Sequence, residues 1–242
     1  MDDRQPAFNL PPVIVWTAGL LMAIHLLLQL LPFEAYSRLL LGLAYIPARS
    51  GEAAAFLPGG AAARLWTPFT YGLLHGGWLH LAVNLLWMAS FGSAVARRFG
   101  AGRFLLLSAV GAAAGAAAHH LTHPGSGAIL VGASAAISAQ MAAAVRFAFA
   151  PGGPLGGGRG REAYVLPAPS LVATLLDPRP LAFLAVWFGI NLIFGMESAL
   201  VPGVGGAIAW QAHIGGFLAG LMLFPLLDPV RPEPPPPPLD DL

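Results

Sequence analysis

Six apolar runs, at residues 13–31, 77–96, 103–121, 131–150, 180–195 and 207–227, constrain this chain more than any other feature. Each is long enough, or nearly so, to cross a hydrocarbon layer of about 30 Å. None carries Asp or Glu in its interior. Only 10% of the residues are charged, whereas about 25% is usual in soluble domains. The expected fold is therefore an all-α membrane protein, a bundle of six transmembrane helices. Residues 1–12 form an N-terminal segment, residues 13–227 the membrane domain and residues 228–242 a Pro-rich tail. The opening MDDRQPAFNLPP does not read as a signal peptide, being acidic with no small-residue cleavage site, so the first run is expected to be retained as a span.

All twelve basic residues are Arg. With the N-terminus inside, nine of them (Arg4, Arg97, Arg98, Arg103, Arg146, Arg159, Arg161, Arg179, Arg231) fall on the inner side and three (Arg38, Arg49, Arg64) outside. The positive-inside rule then places both termini in the cytoplasm. The absence of Lys and the wealth of Ala, Gly, Pro and Arg suggest a GC-rich bacterial genome. The expected location is a bacterial inner membrane, with any site at the outer ends of the helices opening to the periplasm.

The connections differ in character. Residues 32–76 form a long, moderately apolar loop, part of which is expected in the membrane interface. Residues 97–102 and 122–130 are short turns. Residues 151–179, rich in Gly and Pro, read as a flexible loop, and Pro234 to Pro238 as a solvated polyproline-like extension. The third run is almost all small residues, with Gly111 and Gly115 on one face, and is expected at the buried centre of the bundle.

Composition also narrows function. There is no Cys, hence no thiol nucleophile and no thiolate metal site. Without carboxylates in the spans, an aspartyl protease or a carboxylate proton relay has no acid to work with. No His-Glu-x-x-His motif is present. A net charge of +1 gives no reason to expect nucleic acid as a partner. No metal or cofactor is expected.

The polar groups inside the runs are few. His80 and Asn84 stand four apart, on one helix face. Ser134 opens a stripe with Ser138 and Ala142. His213 shares a face with Gly216 and Gly220, which allow another helix to press close. Singly, each of these has a bland reading as interhelical packing or hydrogen bonding. Jointly they are harder to dismiss. Runs two, four and six cross in the same direction. At 1.5 Å per residue, all four polar residues fall within about 5–10 Å of one membrane face. A hydroxyl, an imidazole and two further donors at one depth are the parts of a nucleophilic site.

These residues resemble the rhomboid family of intramembrane serine proteases. Arg64-Leu-Trp66 through His75-Gly-Gly-Trp-Leu-His80-Leu-Ala-Val-Asn84 is similar to the family's first loop and second span. Phe91-Gly92 to Arg97-Arg98-Phe99-Gly100 is similar to the exit of that span. Gly132-Ala-Ser134-Ala135 resembles the Gly-x-Ser-Gly nucleophile motif, and Ala212-His213-Ile-Gly-Gly216-Phe-Leu-Ala-Gly220 the sixth-span motif. The likeness covers residues 13–227. It departs at Ala135, where a glycine is usual, and at Ser138, where many members carry an aromatic residue that supports the histidine.

The resemblance implies a Ser134–His213 dyad acting through an acyl-enzyme. His80, Asn84 and the Ser134 backbone N–H would stabilise the oxyanion, and Gly132, Gly216 and Gly220 would permit close helix packing near the site. It further implies a lateral gate near span five, a cap loop around Met196 to Gly206, and substrates that are single-span proteins within the lipid bilayer. Oligomeric state is not legible. Two alternatives stay open: a non-catalytic rhomboid-like protein that binds membrane helices, and an unrelated polytopic scaffold or transporter. Retention of both Ser134 and His213 weighs against the first. The lack of internal repeats and of carboxylates weighs against the second.

Overall fold

Each apolar run folds as helix, though not always over its expected length. The computed structural model describes residues 9–197 and 209–230. The expected cap loop beyond residue 197, the first eight residues and the polyproline tail lie outside them. Among the described residues, ten α-helices follow one another: α1 (Pro12–Gln29), α2 (Phe33–Leu43), α3 (Thr67–Thr70), α4 (Trp78–Trp87), α5 (Ser93–Phe99), α6 (Ala101–Thr122), α7 (Ser134–Ala148), α8 (Leu171–Leu176), α9 (Pro178–Glu197) and α10 (Trp210–Leu227). A five-residue π-helical turn, Met88–Gly92, joins α4 to α5 into one rod. Among the described residues, four stretches are long and apolar enough to cross a membrane: Pro12–Gln29, Trp78–Phe99, Ala101–Thr122 and Trp210–Leu227.

The fourth run is shorter as a helix than expected. It begins at Ser134 because the segment before it is tied to other elements at Leu130 and Gly132. Gly132 adopts φ +118°, open only to glycine, and its N–H donates to the Tyr71 carbonyl at 3.0 Å. Leu130 pairs with Tyr45 as an isolated antiparallel bridge. At 15 residues, α7 is only about 22 Å long. Every residue of it except Ser134 and Ala136 is buried. The centre of the bundle is therefore α7, not the small-residue third run. That run, α6, turns its Gly and Ala face to α7 and α10 but exposes Leu105 and Leu106.

Glycine sets how α6, α7 and α10 meet. A Cβ built on Gly216 would collide with the backbone of Ala135, and one on Gly220 with the backbone of Ala139. The two helices thus run parallel, main chain against main chain. Gly215, on the neighbouring face of α10, meets the backbone of Ala114 in the same way. Gly115 and Gly111 of α6 face Ala135 and Ala139, so α6 runs antiparallel to both.

The two long loops are more ordered than their composition suggests. In residues 32–76, the buried Arg49 donates to the carbonyls of Leu41 (2.5 Å), Pro58 (2.8 Å) and Gly60 (3.2 Å). Trp66 Nε1 donates to Gly42 O at 2.9 Å, and the Tyr71 hydroxyl to Ala112 O at 2.8 Å. The result is a braced platform against which α7 starts. The expected flexible loop 151–179 is likewise held down: Arg98 donates to Tyr164 O and Leu166 O, and Arg146 to Pro169 O. It contains α8, whose N-cap Ser170 accepts from the Ala173 N–H at 3.1 Å.

Candidate active site

Ser134 is the first residue of α7 and His213 lies in the first turn of α10. Because the glycine faces bring the two main chains into contact, the side chains at the same end are forced together. Ser134 Oγ and His213 Nε2 lie 2.7 Å apart, a normal hydrogen-bond length. Both residues are half-buried.

The other ring nitrogen of His213, Nδ1, is hydrogen-bonded to Asn191 Oδ1 of α9. Asn191 Nδ2 donates in turn to Trp187 O, one helical turn back, at 2.7 Å. The Trp187 ring lies beside the imidazole, with centroids 6.5 Å apart. Asn191 escaped the sequence reading. A lone Asn in an apolar run has no spacing partner to flag it, and its contact with His213 spans two helices.

His80 sits over the entry to α7. Its Nδ1 accepts from the Gly76 N–H at 3.4 Å, which leaves the proton on Nε2. The ring edge faces Gly132, where a Cβ would come within 2.7 Å of both Cε1 and Nε2. Gly132 is thus required for clearance as well as for its positive φ. That same Cβ position is 3.7 Å from Ser134 Oγ, so His80 Nε2 and Ser134 Oγ are no more than about 6.4 Å apart. Asn84 is buried one turn along α4, and its Nδ2 donates to His80 O at 3.0 Å. Neither Ser134 nor His213 is its hydrogen-bond partner. The backbone N–H groups of Ser134 and its first-turn neighbours have no acceptor within α7, and the N-cap Ala133 supplies no side-chain cap. They present the positive end of the helix dipole beside the hydroxyl.

The two departures from the family pattern each have a local explanation. The methyl of Ala135 occupies space that Gly115 leaves free. Ser138 is turned toward its own helix, its Oγ donating to Ser134 O at 2.8 Å, and the support for the His213 ring comes from α9 instead.

Next to the site lie imidazoles with no partner among the described residues. His75, 6% exposed, packs edge-on to His80 with centroids 5.1 Å apart, and both its nitrogens are unpaired. Burial, then the neighbouring His80 and His25, hold its pKa down to about 4. His25 Nε2 and both nitrogens of His119 are also unpaired. Among the described residues, no three His, Cys, Asp or Glu side chains converge where a metal ion would sit.

Chemically, a hydroxyl hydrogen-bonded to an imidazole, at a helix N-terminus and beside a second imidazole N–H, is the constellation of a serine nucleophile with its base. The fold that carries it is a helical bundle with several apolar rods, which defines an integral, multi-pass membrane protein with a Ser–His pair. Residues 62–228 match the rhomboid domain family, and the chain belongs to that family. It is also 29% identical over 159 residues to a protein named rhomboid protease GlpG, from Enterobacter sp. (strain 638). That alignment covers 66% of this chain and 47% of the relative, so the chain spans about half of that protein's length.

Proposed function

We propose that this protein is an intramembrane serine endopeptidase with six membrane spans and both termini in the cytoplasm. Its substrates are single-span membrane proteins cut in or near their transmembrane helix. The observation that carries the reading is the 2.7 Å contact between Ser134 Oγ and His213 Nε2. His213 takes the hydroxyl proton as Ser134 attacks the scissile carbonyl. The imidazolium then protonates the leaving amine, and His213 next activates the water that releases the acyl group. Negative charge on the tetrahedral oxygen meets the Ser134 N–H and the Nε2–H of His80, with Asn84 below supplying its remaining N–H. Water is available at this end of the bundle if the unpaired nitrogens of His25, His75 and His119 are solvated, as buried polar atoms ordinarily are. A helical substrate hides its carbonyls in its own hydrogen bonds, so cleavage favours segments that unwind readily.

The likeness to a protein named as a rhomboid protease supports this reading. The test is labelling of the purified protein in bilayers with a fluorophosphonate probe. Labelling that maps to Ser134 and is absent from Ser134→Ala is expected. A folded protein that resists the probe, and leaves a co-expressed single-span reporter uncut, would instead be a helix-binding member without catalysis.

A further inference from the structure

We propose that Asn191 is the positioning residue of this site, holding His213 in the Nδ1-protonated tautomer with the Nε2 lone pair aimed at Ser134. The proposal rests on the reading of Ser134 and His213 as nucleophile and base.

The polarity of the hydrogen-bond chain follows from its far end. The Trp187 carbonyl can only accept, so the Asn191 amide atom 2.7 Å from it is the amino nitrogen. The amide oxygen is then the atom that meets His213 Nδ1. An amide oxygen also only accepts, so Nδ1 carries the proton. Nε2 is left with its lone pair, 2.7 Å from the Ser134 hydroxyl, which donates to it. One backbone carbonyl on α9 thus fixes the direction of every proton up to the nucleophile. Among the described residues, Asn191 and Ser134 are the two side chains hydrogen-bonded to His213. Ser138, the polar neighbour one turn below Ser134, is committed to its own helix.

The Asn191 amide is neutral. It orients the ring and selects the tautomer, but it adds no opposite charge to stabilise the imidazolium. Its loss therefore lowers turnover and leaves substrate binding almost untouched. A purely structural role, as a polar link between α9 and α10, would act on stability and not on which nitrogen holds the proton.

The experiment uses full-length protein with ¹⁵N-labelled histidine in lipid nanodiscs, the His213 signals being assigned by their loss in His213→Ala. Wild type is expected to show a protonated Nδ1 and a bare Nε2 at neutral pH, and Asn191→Leu a mixture of tautomers. On the single-span reporter, Asn191→Leu is expected to lower kcat by about 10- to 100-fold, within what a general base contributes at all. KM should stay within about twofold. Asn191→Asp, which keeps the acceptor, should recover most of the lost rate. Thermal unfolding identifies a misfolded variant, and Asn191→Ala then takes its place. A wild-type His213 protonated on Nε2, an unchanged tautomer in Asn191→Leu, or an Asp variant no better than Leu would each overturn the proposal. Wild-type protein that shows the Nδ1 tautomer but never cuts the reporter would leave Asn191 as the orienting group and remove the protease reading.

Discussion

The two ends of the α6–α7–α10 core hold their polar groups in different ways. At the far end, Arg98 is buried and four of the five N–H groups of its guanidinium are paired. Nε and Nη2 grip both oxygens of Asp228 at 2.9 and 2.8 Å, and Nη1 reaches two backbone carbonyls. Its face covers the rings of Phe147 and Phe224. At the Ser134 end, hydrogen bonds run singly from group to group, and several imidazole nitrogens lack protein partners. A polar group with nearly every donor paired has little left to offer a ligand. One with spare donors stays in place only because the surrounding packing holds it. The first kind secures the fold; the second is available for chemistry.

Four tests break or sharpen this contrast, in order of expected effect. At the Ser134 end, Ser134→Ala and His213→Ala should each reduce reporter cleavage by about four orders of magnitude or more. The unfolding midpoint should barely move; a large fall would mean that these groups support the fold. At the other end, the pattern should reverse. Arg98→Ala leaves the Asp228 carboxylate, 8% exposed, without its cation, and should cost about 3–5 kcal/mol in a denaturation experiment. Fluorophosphonate labelling per folded molecule should be unchanged.

Beside the Ser134 end, Gly115→Ala drives a methyl against Ala135 Cβ, the Ala212 carbonyl and the Tyr71 hydroxyl. Overpacking of this kind costs about 1–3 kcal/mol. Adding Ala135→Gly should restore part of it, whereas strict additivity in the double-mutant cycle would mean that the two positions do not share the space. The smallest effect is a pH dependence. His75 titrates near 4 in the folded protein against 6.5 ordinarily. Below about pH 6.5 the unfolded chain accepts a proton that the folded one refuses. The contribution of His75 to stability is therefore whole above that pH and is lost as pH falls toward 4. Melting at pH 7 and pH 5 should show a fall that is reduced in His75→Leu; an equal fall in both would place the titrating group elsewhere.

Much of this was legible in the residues themselves. Apolar runs free of carboxylates marked the helices, and Gly216 and Gly220 beside His213 marked a close contact. What escaped has physical causes. The run 131–150 is mostly apolar from its first residue, so nothing in its hydropathy says that Gly132 must leave the helix to meet Tyr71 O. The small residues of α6 suggest a helix buried all round, yet Ala117 in their midst and Leu105 and Leu106 before them are exposed. Arg49 and Arg98 read as loop and turn charges because their acceptors are carbonyls or residues far along the chain. Asn191 shows why a site is harder to read than a helix. Its role depends on which atom of one amide faces which atom of one ring.

The contact of α10 glycines with α7 carbonyls has a further consequence. Where main chain rests on main chain, no rotamer intervenes to blur the spacing. The gap between hydroxyl and imidazole is gauged by two peptide backbones, and drift in the residues that face lipid leaves that gauge untouched. Sequence can wander widely over the outside of such a molecule while the distance that matters inside it is handed down intact.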